Sequence, residues 1–318
     1  MSTTQAGPPV ECDTVAPIKE LWFCAKPLMT VTKTYLLLSS ILCITFLIAP
    51  HVVPTESHTS PVANQNELNL STPEDFKVEF ASVPCENEKR LGAVKSLFEN
   101  MGANATDVTV DKYKNVENLI IRKQGSSDDK IIVGAHYDKV EDGCGAIDNW
   151  TGVVTLAHVY KTLKDIPLKH TILFVAFGKE EKGLVGSRAM VDANPKDQLT
   201  QYCDMINIDS LGLAAPQLAD NMSSKKLSTF VAELAKEMKI SLRRATIQGA
   251  DGDSSSFVRK GIPAVLVHGL SNDWASIIHT RNDRSAKVNP VSVYLGYRLV
   301  LGTVIRLDGS ACGEYRDK

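Results

Sequence analysis

Apolar and polar positions follow different rules in successive stretches of this chain. Residues 1–34 are polar, carry Pro8, Pro9, Pro17 and Pro27, and show no helical apolar repeat; a disordered tail is expected there. Residues 35–53 contain no Asp, Glu, Lys or Arg and are apolar on every side. A membrane-spanning helix needs roughly 20 such residues, so this run is just long enough. Residues 54–76 are rich in Pro, Ser, Thr and Asn and read as a linker. From residue 77 to 312 the pattern is globular.

Within that region two periods alternate. Glu86–Met101 repeats at helical spacing, with Leu91, Val94, Leu97 and Phe98 on one face. Val108–Val110 and Val116–Arg122 have strand character, and Lys130–Ala135 is a short β-rich run. Thr151–Leu163 predicts a helix and His170–Phe177 a fully apolar strand. Asp204–Ile208 and Ala264–His268 predict buried strands, and Ser228–Met238 and Val291–Leu307 predict helices. Strands alternating with helices imply an α/β domain: a mostly parallel, mixed central sheet with helices on both faces.

The charge distribution orients the apolar run. Lys19, Lys26 and Lys33 precede it, and no Lys or Arg follows until Lys77. The positive-inside bias therefore puts the N-terminus in the cytosol and the globular domain outside. A start at Met29 would instead leave Tyr35–Ala49 as the core of a secretory signal, but no Ala-x-Ala site follows. An uncleaved signal-anchor is the reading the pattern favours; cleavage would release the domain. A formal net charge of -2 and the absence of a basic face argue against a nucleic-acid partner. The seven cysteines contain no Cys-x-x-Cys pair, which argues against a structural zinc finger. Cys85 and Cys312 lie near the two ends of the domain and are the expected pair if a bridge forms; Cys144 is expected to be a packed thiol. Nothing in the sequence sets the oligomeric state.

Candidate chemistry gathers at strand ends. His136 and Asp138 follow one predicted strand, Glu180 and Glu181 another, and Asp209 a third, while Asp148 and His279 lie in loops. Ligands of open α/β sheets collect at the carboxyl edge of the strands. Zinc takes imidazole nitrogen and carboxylate oxygen, and two imidazoles with three carboxylates make two sites if one carboxylate bridges. Glu180 is then free to act as general base. Asp138, two residues from His136, is positioned to accept its other ring N–H. Taken singly, His158, His170 and His268 read as core histidines.

The stretches Gly134-Ala-His-Tyr-Asp138, Gly145-Ala-Ile-Asp-Asn-Trp-Thr-Gly152, Phe177-Gly-Lys-Glu-Glu-Lys-Gly-Leu-Val-Gly-Ser187, Asn207-Ile-Asp-Ser-Leu-Gly212 and His279-Thr280 resemble, in order, the motifs of the M28 zinc aminopeptidases. The resemblance spans residues 77–307. It implies a zinc-exopeptidase fold and two zinc ions, one held by His136 and Asp209, the other by Glu181 and His279, with Asp148 between them. It implies Glu180 as the base that activates water, peptides as substrates, and hydrolysis at the free N-terminus. Gly183 and Gly186 match a turn passing close to the metals. Two positions depart from the family: Ser254 stands where a His is usual, and Ile278 replaces the aromatic residue that often precedes the last His.

Rival readings remain on the same residues. Related zinc amidohydrolases and carboxypeptidases insert a lid domain, yet only 28 positions separate Glu181 from Asp209 and 70 separate Asp209 from His279. Glutaminyl cyclases lack the Glu-Glu-x-Gly-Leu-x-Gly-Ser element. A membrane-anchored, receptor-like homologue without catalysis would have lost ligands, and here none is missing. Asn69, Asn104, Asn149 and Asn221 match the glycan-acceptor pattern, with Asn149 expected to be buried.

Overall fold

The computed structural model describes residues 68–317. The expected tail, membrane helix and most of the linker lie outside the described residues. Among the described residues no helix is long and apolar enough to cross a membrane.

The folded chain starts earlier than the sequence pattern places it. Helix α1 (Pro73–Phe80) begins inside the stretch read as linker. Thr72 and Asp75 form a capping box, Pro73 occupies the first turn, and Phe76 and Phe80 are buried. Pro73 was ambiguous because the same residue punctuates a linker and opens a helix. At the other end, Arg316 donates to the carbonyls of Gly261 and Tyr202, so the fold also runs past residue 312.

The remaining elements are α2 (Asn87–Asn100), β1 (Val108–Tyr113), β2 (Val116–Lys123), β3 (Lys130–His136), α3 (Thr151–Leu163), β4 (Thr171–Phe177), α4 (Val185–Asp192), α5 (Lys196–Leu199), β5 (Tyr202–Ile208), β6 (Gln217–Ala219), α6 (Lys225–Glu237), β7 (Arg243–Ala245), α7 (Ser254–Val258), β8 (Ala264–His268) and α8 (Pro290–Asp308). The strands form one eight-stranded sheet in the order β1-β2-β4-β3-β5-β8-β6-β7. Strands β4, β3, β5 and β8 run parallel at its centre, while β1 and β2 lie antiparallel on one side and β6 antiparallel to β8 on the other.

Alternate residues of each central strand enter opposite cores. Ile131, Val133 and Ala135 of β3, with Ile172, Phe174 and Ala176 of β4, pack among residues of α1, α2, α3, α6 and α8. Ile132 of β3, with Leu173, Val175 and Phe177 of β4, packs against Met190 and Val191 of α4 and Phe257 of α7. Both faces are therefore covered, which explains why these strands read as continuous apolar runs. The second face is closed by short helices of five and eight residues, too short to show a clear period in the sequence.

This winding defines where a site belongs. The connection through α3 leads from β3 to β4 on one side; the connection through α4 returns across β3 to β5 on the other. The chain thus reverses its direction of winding between β3 and β5, and a crevice opens at their carboxyl ends.

Candidate active site

His136 is the last residue of β3, and Asp209 directly follows β5. They meet across the crevice, with His136 Nε2 3.5 Å from Asp209 Oδ1. The loop after β3 brings Asp148 to the same place, with its Oδ1 3.1 Å from His136 Nε2. Asp148 turns its other oxygen the opposite way: Oδ2 lies 2.9 Å from His279 Nε2. His279 Nε2 also lies 3.2 Å from Glu181 Oε2. All five residues expected to bind metal are thus brought together. They form two imidazole–carboxylate pairs that share Asp148.

The electrostatics of this cluster call for positive charge. Hydrogen bonds to Asp148 and Glu181 push His279 up to about 10. Burial pulls His136 down, but the charges of Glu180 and Asp209 outweigh it, and the ring is held well above its ordinary value. Burial raises Glu180 well above the usual carboxylate range, and Asp253 and Asp209 add to the effect. Glu181 Oε1 is buried with no hydrogen-bond partner among the described residues. An orphaned carboxylate oxygen, two imidazoles and three carboxylates form a donor set that suits zinc.

The loops carrying these groups are fixed by specific contacts. Glu180 and Glu181 lie in one turn of 3-10 helix, Glu180–Lys182, between Lys179 and Gly183, both with left-handed backbone. Gly183 has φ +93, where a side chain is strained, and a Cβ on Gly186 would come within 2.5 Å of the Gly178 carbonyl. Asp138 meets His136 through its backbone more closely than through the side chain the sequence pointed to. The partner of His136 Nδ1 is the Asp138 backbone carbonyl, 3.1 Å away, while its carboxylate lies at 3.7 Å. That carboxylate instead accepts the backbone N–H groups of Glu180 at 2.9 Å and Glu181 at 3.3 Å. A carboxylate here satisfies two N–H donors that open the turn, which a short helix cannot satisfy itself.

Asn149 is completely buried, as expected, and joins the Asp148 loop to β5. Its Nδ2 donates to Ile208 O, and its Oδ1 accepts from Gly152 N and Ser210 N. The Asp148–Asn149 peptide is cis. Two further residues were missed from the sequence. Arg90, fully buried, donates to the carbonyls of Tyr137, Pro84, Cys144 and Gly145, and its guanidinium stacks 5.3 Å from the Trp150 ring. Asp283 accepts from Ile147 N at 2.6 Å and Asp148 N at 3.1 Å. Arg90 sits in a predicted amphipathic helix, where an Arg reads as solvent-facing. Asp283 has only its nearness to His279 as a signal.

The cysteine expectation is corrected. Cys85 pairs with Cys144, and Cys203 pairs with Cys312. The argument from domain ends failed because Cys85 lies against the loop that follows β3, while Cys312 packs at the start of β5.

A cavity of about 350 Å³ opens over the cluster, and Glu180 lines it together with all five clustered residues. Its apolar wall includes Met222, Ile247, Leu266, Leu270, Trp274 and Ile278. Ile278 is buried against Ile147, Leu270 and Ile277, so the position before His279 contributes shape and no hydrogen-bond donor. Ser254 donates to the Met222 carbonyl and stays out of the cavity lining, in keeping with a structural role. His268 differs from its expected core role in one respect: its ring lines the cavity, while Nδ1 accepts from Leu270 N.

Residues 118–303 match peptidase family M28. Aminopeptidase Y of Saccharomyces cerevisiae is 26% identical over 203 residues, covering 61% of this chain and 38% of that protein. The chain spans between 18% and 38% of the length of the first curated relatives it resembles. The LapA aminopeptidase of Legionella pneumophila shares the fold with a TM-score of 0.63 at 21% identity, over 75% of this chain and 71% of that one. A glutaminyl cyclase from an Acidobacteriales bacterium shares it with a TM-score of 0.64 at 18% identity, over 74% of this chain and 93% of that one.

Proposed function

From peptidase family M28, to which this chain belongs, and from the arrangement of its clustered acids and imidazoles, we propose that it is a two-zinc aminopeptidase that hydrolyses the first peptide bond of peptides with a free N-terminus. The observation that carries this reading is the division of Asp148: one oxygen faces His136 and the other faces His279. A carboxylate so placed can serve two metal ions at once. His136 and Asp209 would hold one zinc, and Glu181 and His279 the other. When bound, such a pair supplies Lewis-acid polarisation of the scissile carbonyl and lowers the pKa of water.

The protein groups divide the remaining work. Glu180, desolvated and raised in pKa, takes a proton from the attacking water and returns it to the leaving amine. Asp138 holds the Glu180 backbone, so the base is oriented before substrate arrives. The Asp138 carbonyl fixes Nδ1 of His136 as the protonated nitrogen and leaves Nε2 facing the other ligands. The apolar wall of the cavity excludes water and receives a substrate side chain.

The fold shared with 93% of a glutaminyl cyclase chain, over 74% of this one, leaves a second reading, cyclisation of N-terminal glutamine. Against it stands the Glu180–Glu181 turn with Gly183 and Gly186, which places two carboxylates beside the cluster. Metal analysis of the purified protein tests the primary reading. Two zinc ions per chain are expected; fewer than one would contradict it. We also place the domain outside the cytosol, on an N-terminal signal-anchor. Two disulfides in one domain support an oxidising compartment. Protease accessibility of the domain in intact cells tests this placement.

A further inference from the structure

Asp283 lies four residues after His279 and is buried, at 2% exposure. Its carboxylate makes no ion pair among the described residues. It forks onto two consecutive backbone N–H groups, those of Ile147 and Asp148, at 2.6 and 3.1 Å. Its own backbone completes the connection: the carbonyl accepts from Cys144 N at 2.9 Å, and the N–H donates to Thr280 O at 3.0 Å. The two loops approach so closely that a Cβ on Gly143 would lie 2.4 Å from Thr280 O. One residue therefore ties the backbone of Asp148 to the residue next to His279.

The choice of side chain is informative. Burying a carboxylate near other carboxylates is costly, and a neutral residue would serve if the loop merely needed a hydrogen-bond acceptor. A carboxylate offers two equivalent oxygens at fixed spacing and makes stronger bonds to N–H groups than a neutral acceptor does. Two such bonds on adjacent peptides fix both the position and the tilt of Asp148 Cα.

We propose that Asp283 is a positioning residue that sets the shared carboxylate of Asp148 at its distance from His279, so that the ligands of the two proposed metal sites stand ready before metal binds. This rests on the two-zinc reading above.

The test is a zinc titration of metal-stripped protein in competition with a chromophoric chelator, for wild type, Asp283→Asn and Asp283→Ala. Groups that orient metal ligands contribute about 10- to 100-fold to affinity or activity. Asp283→Ala should weaken zinc binding by that factor and lower kcat while leaving KM within about twofold. Asp283→Asn keeps one acceptor oxygen and should fall between the two. Zinc affinity and kcat in Asp283→Ala equal to wild type would overturn the proposal, as would a loss of thermal stability with no change in zinc affinity. Failure of wild type itself to bind zinc would instead defeat the metal-site reading. If Asp283→Ala does not fold, amide hydrogen exchange of zinc-free wild type decides: protected Ile147 and Asp148 amides support the proposal, and exchange at solvent rates overturns it.

Discussion

The carboxylate of Asp138 holds the backbone of Glu180 rather than the ring of His136, with Oδ1 2.9 Å from the Glu180 N–H. Hydrogen bonds to a charged group contribute about 1.5–3 kcal/mol each. Asp138→Ala should therefore lower kcat by roughly 10-fold or more by loosening the Glu180 turn. Zinc content should stay at the wild-type value, because the Asp138 carbonyl still fixes His136. Steady-state kinetics with parallel metal analysis would check this; loss of zinc with an unchanged kcat per zinc-loaded molecule would point back to the His136 ring.

On the two-zinc reading proposed above, Glu180 is the base that moves a proton and lies outside the proposed ligand set. Glu180→Gln should bind as much zinc as wild type and turn over more slowly by about 10²- to 10⁴-fold. Equal peptide cleavage by the two proteins would remove Glu180 from the role of base.

The two disulfides should differ in consequence. Chain-entropy reasoning gives about 4–5 kcal/mol for closing loops of these lengths, with separations of 59 and 109 residues. Replacing either pair with Ser should lower unfolding stability by a similar amount. Only the Cys85–Cys144 replacement should also weaken zinc binding, since Cys144 lies in the loop that Arg90 and Asp283 secure beside Asp148. Denaturant unfolding and zinc titration of both double variants separate the effects.

Asp204 is a buried residue of β5, one of its oxygens has no partner among the described residues, and burial raises its pKa from 3.8 to about 7. The unfolded chain then releases this proton before the folded one. Stability from this group is complete below pH 3.8 and declines as pH rises to about 7. Asp204→Asn should thus gain in Tm relative to wild type as pH rises through that window, by up to roughly 10 °C at its upper end. A Tm difference that is flat with pH would show that Asp204 is charged in the fold throughout.

Long, strongly periodic segments were legible from sequence. Thr151–Leu163 and Ala264–His268 form as the pattern predicts, because their burial is uniform and their ends coincide with changes of period. The candidate site was legible because its side chains sit at strand ends and in glycine-marked turns. What escaped was set by contacts distant in sequence. Asp283 reaches back 136 residues to Ile147, and Arg90 spans 54 residues to Cys144. Helices α4 and α7 are too short for periodicity, and α1 begins at a Pro that reads equally as linker. The disulfides followed local neighbourhoods in the fold that no spacing in the sequence records.

The proposed reaction requires a free N-terminus on the substrate. It is tested most directly by a panel of aminoacyl amides assayed with zinc-loaded protein, each presented with its α-amine free and acetylated. Hydrolysis of the free-amine compounds is expected, abolished by acetylation and by chelation of zinc. Cleavage that survives acetylation would contradict it.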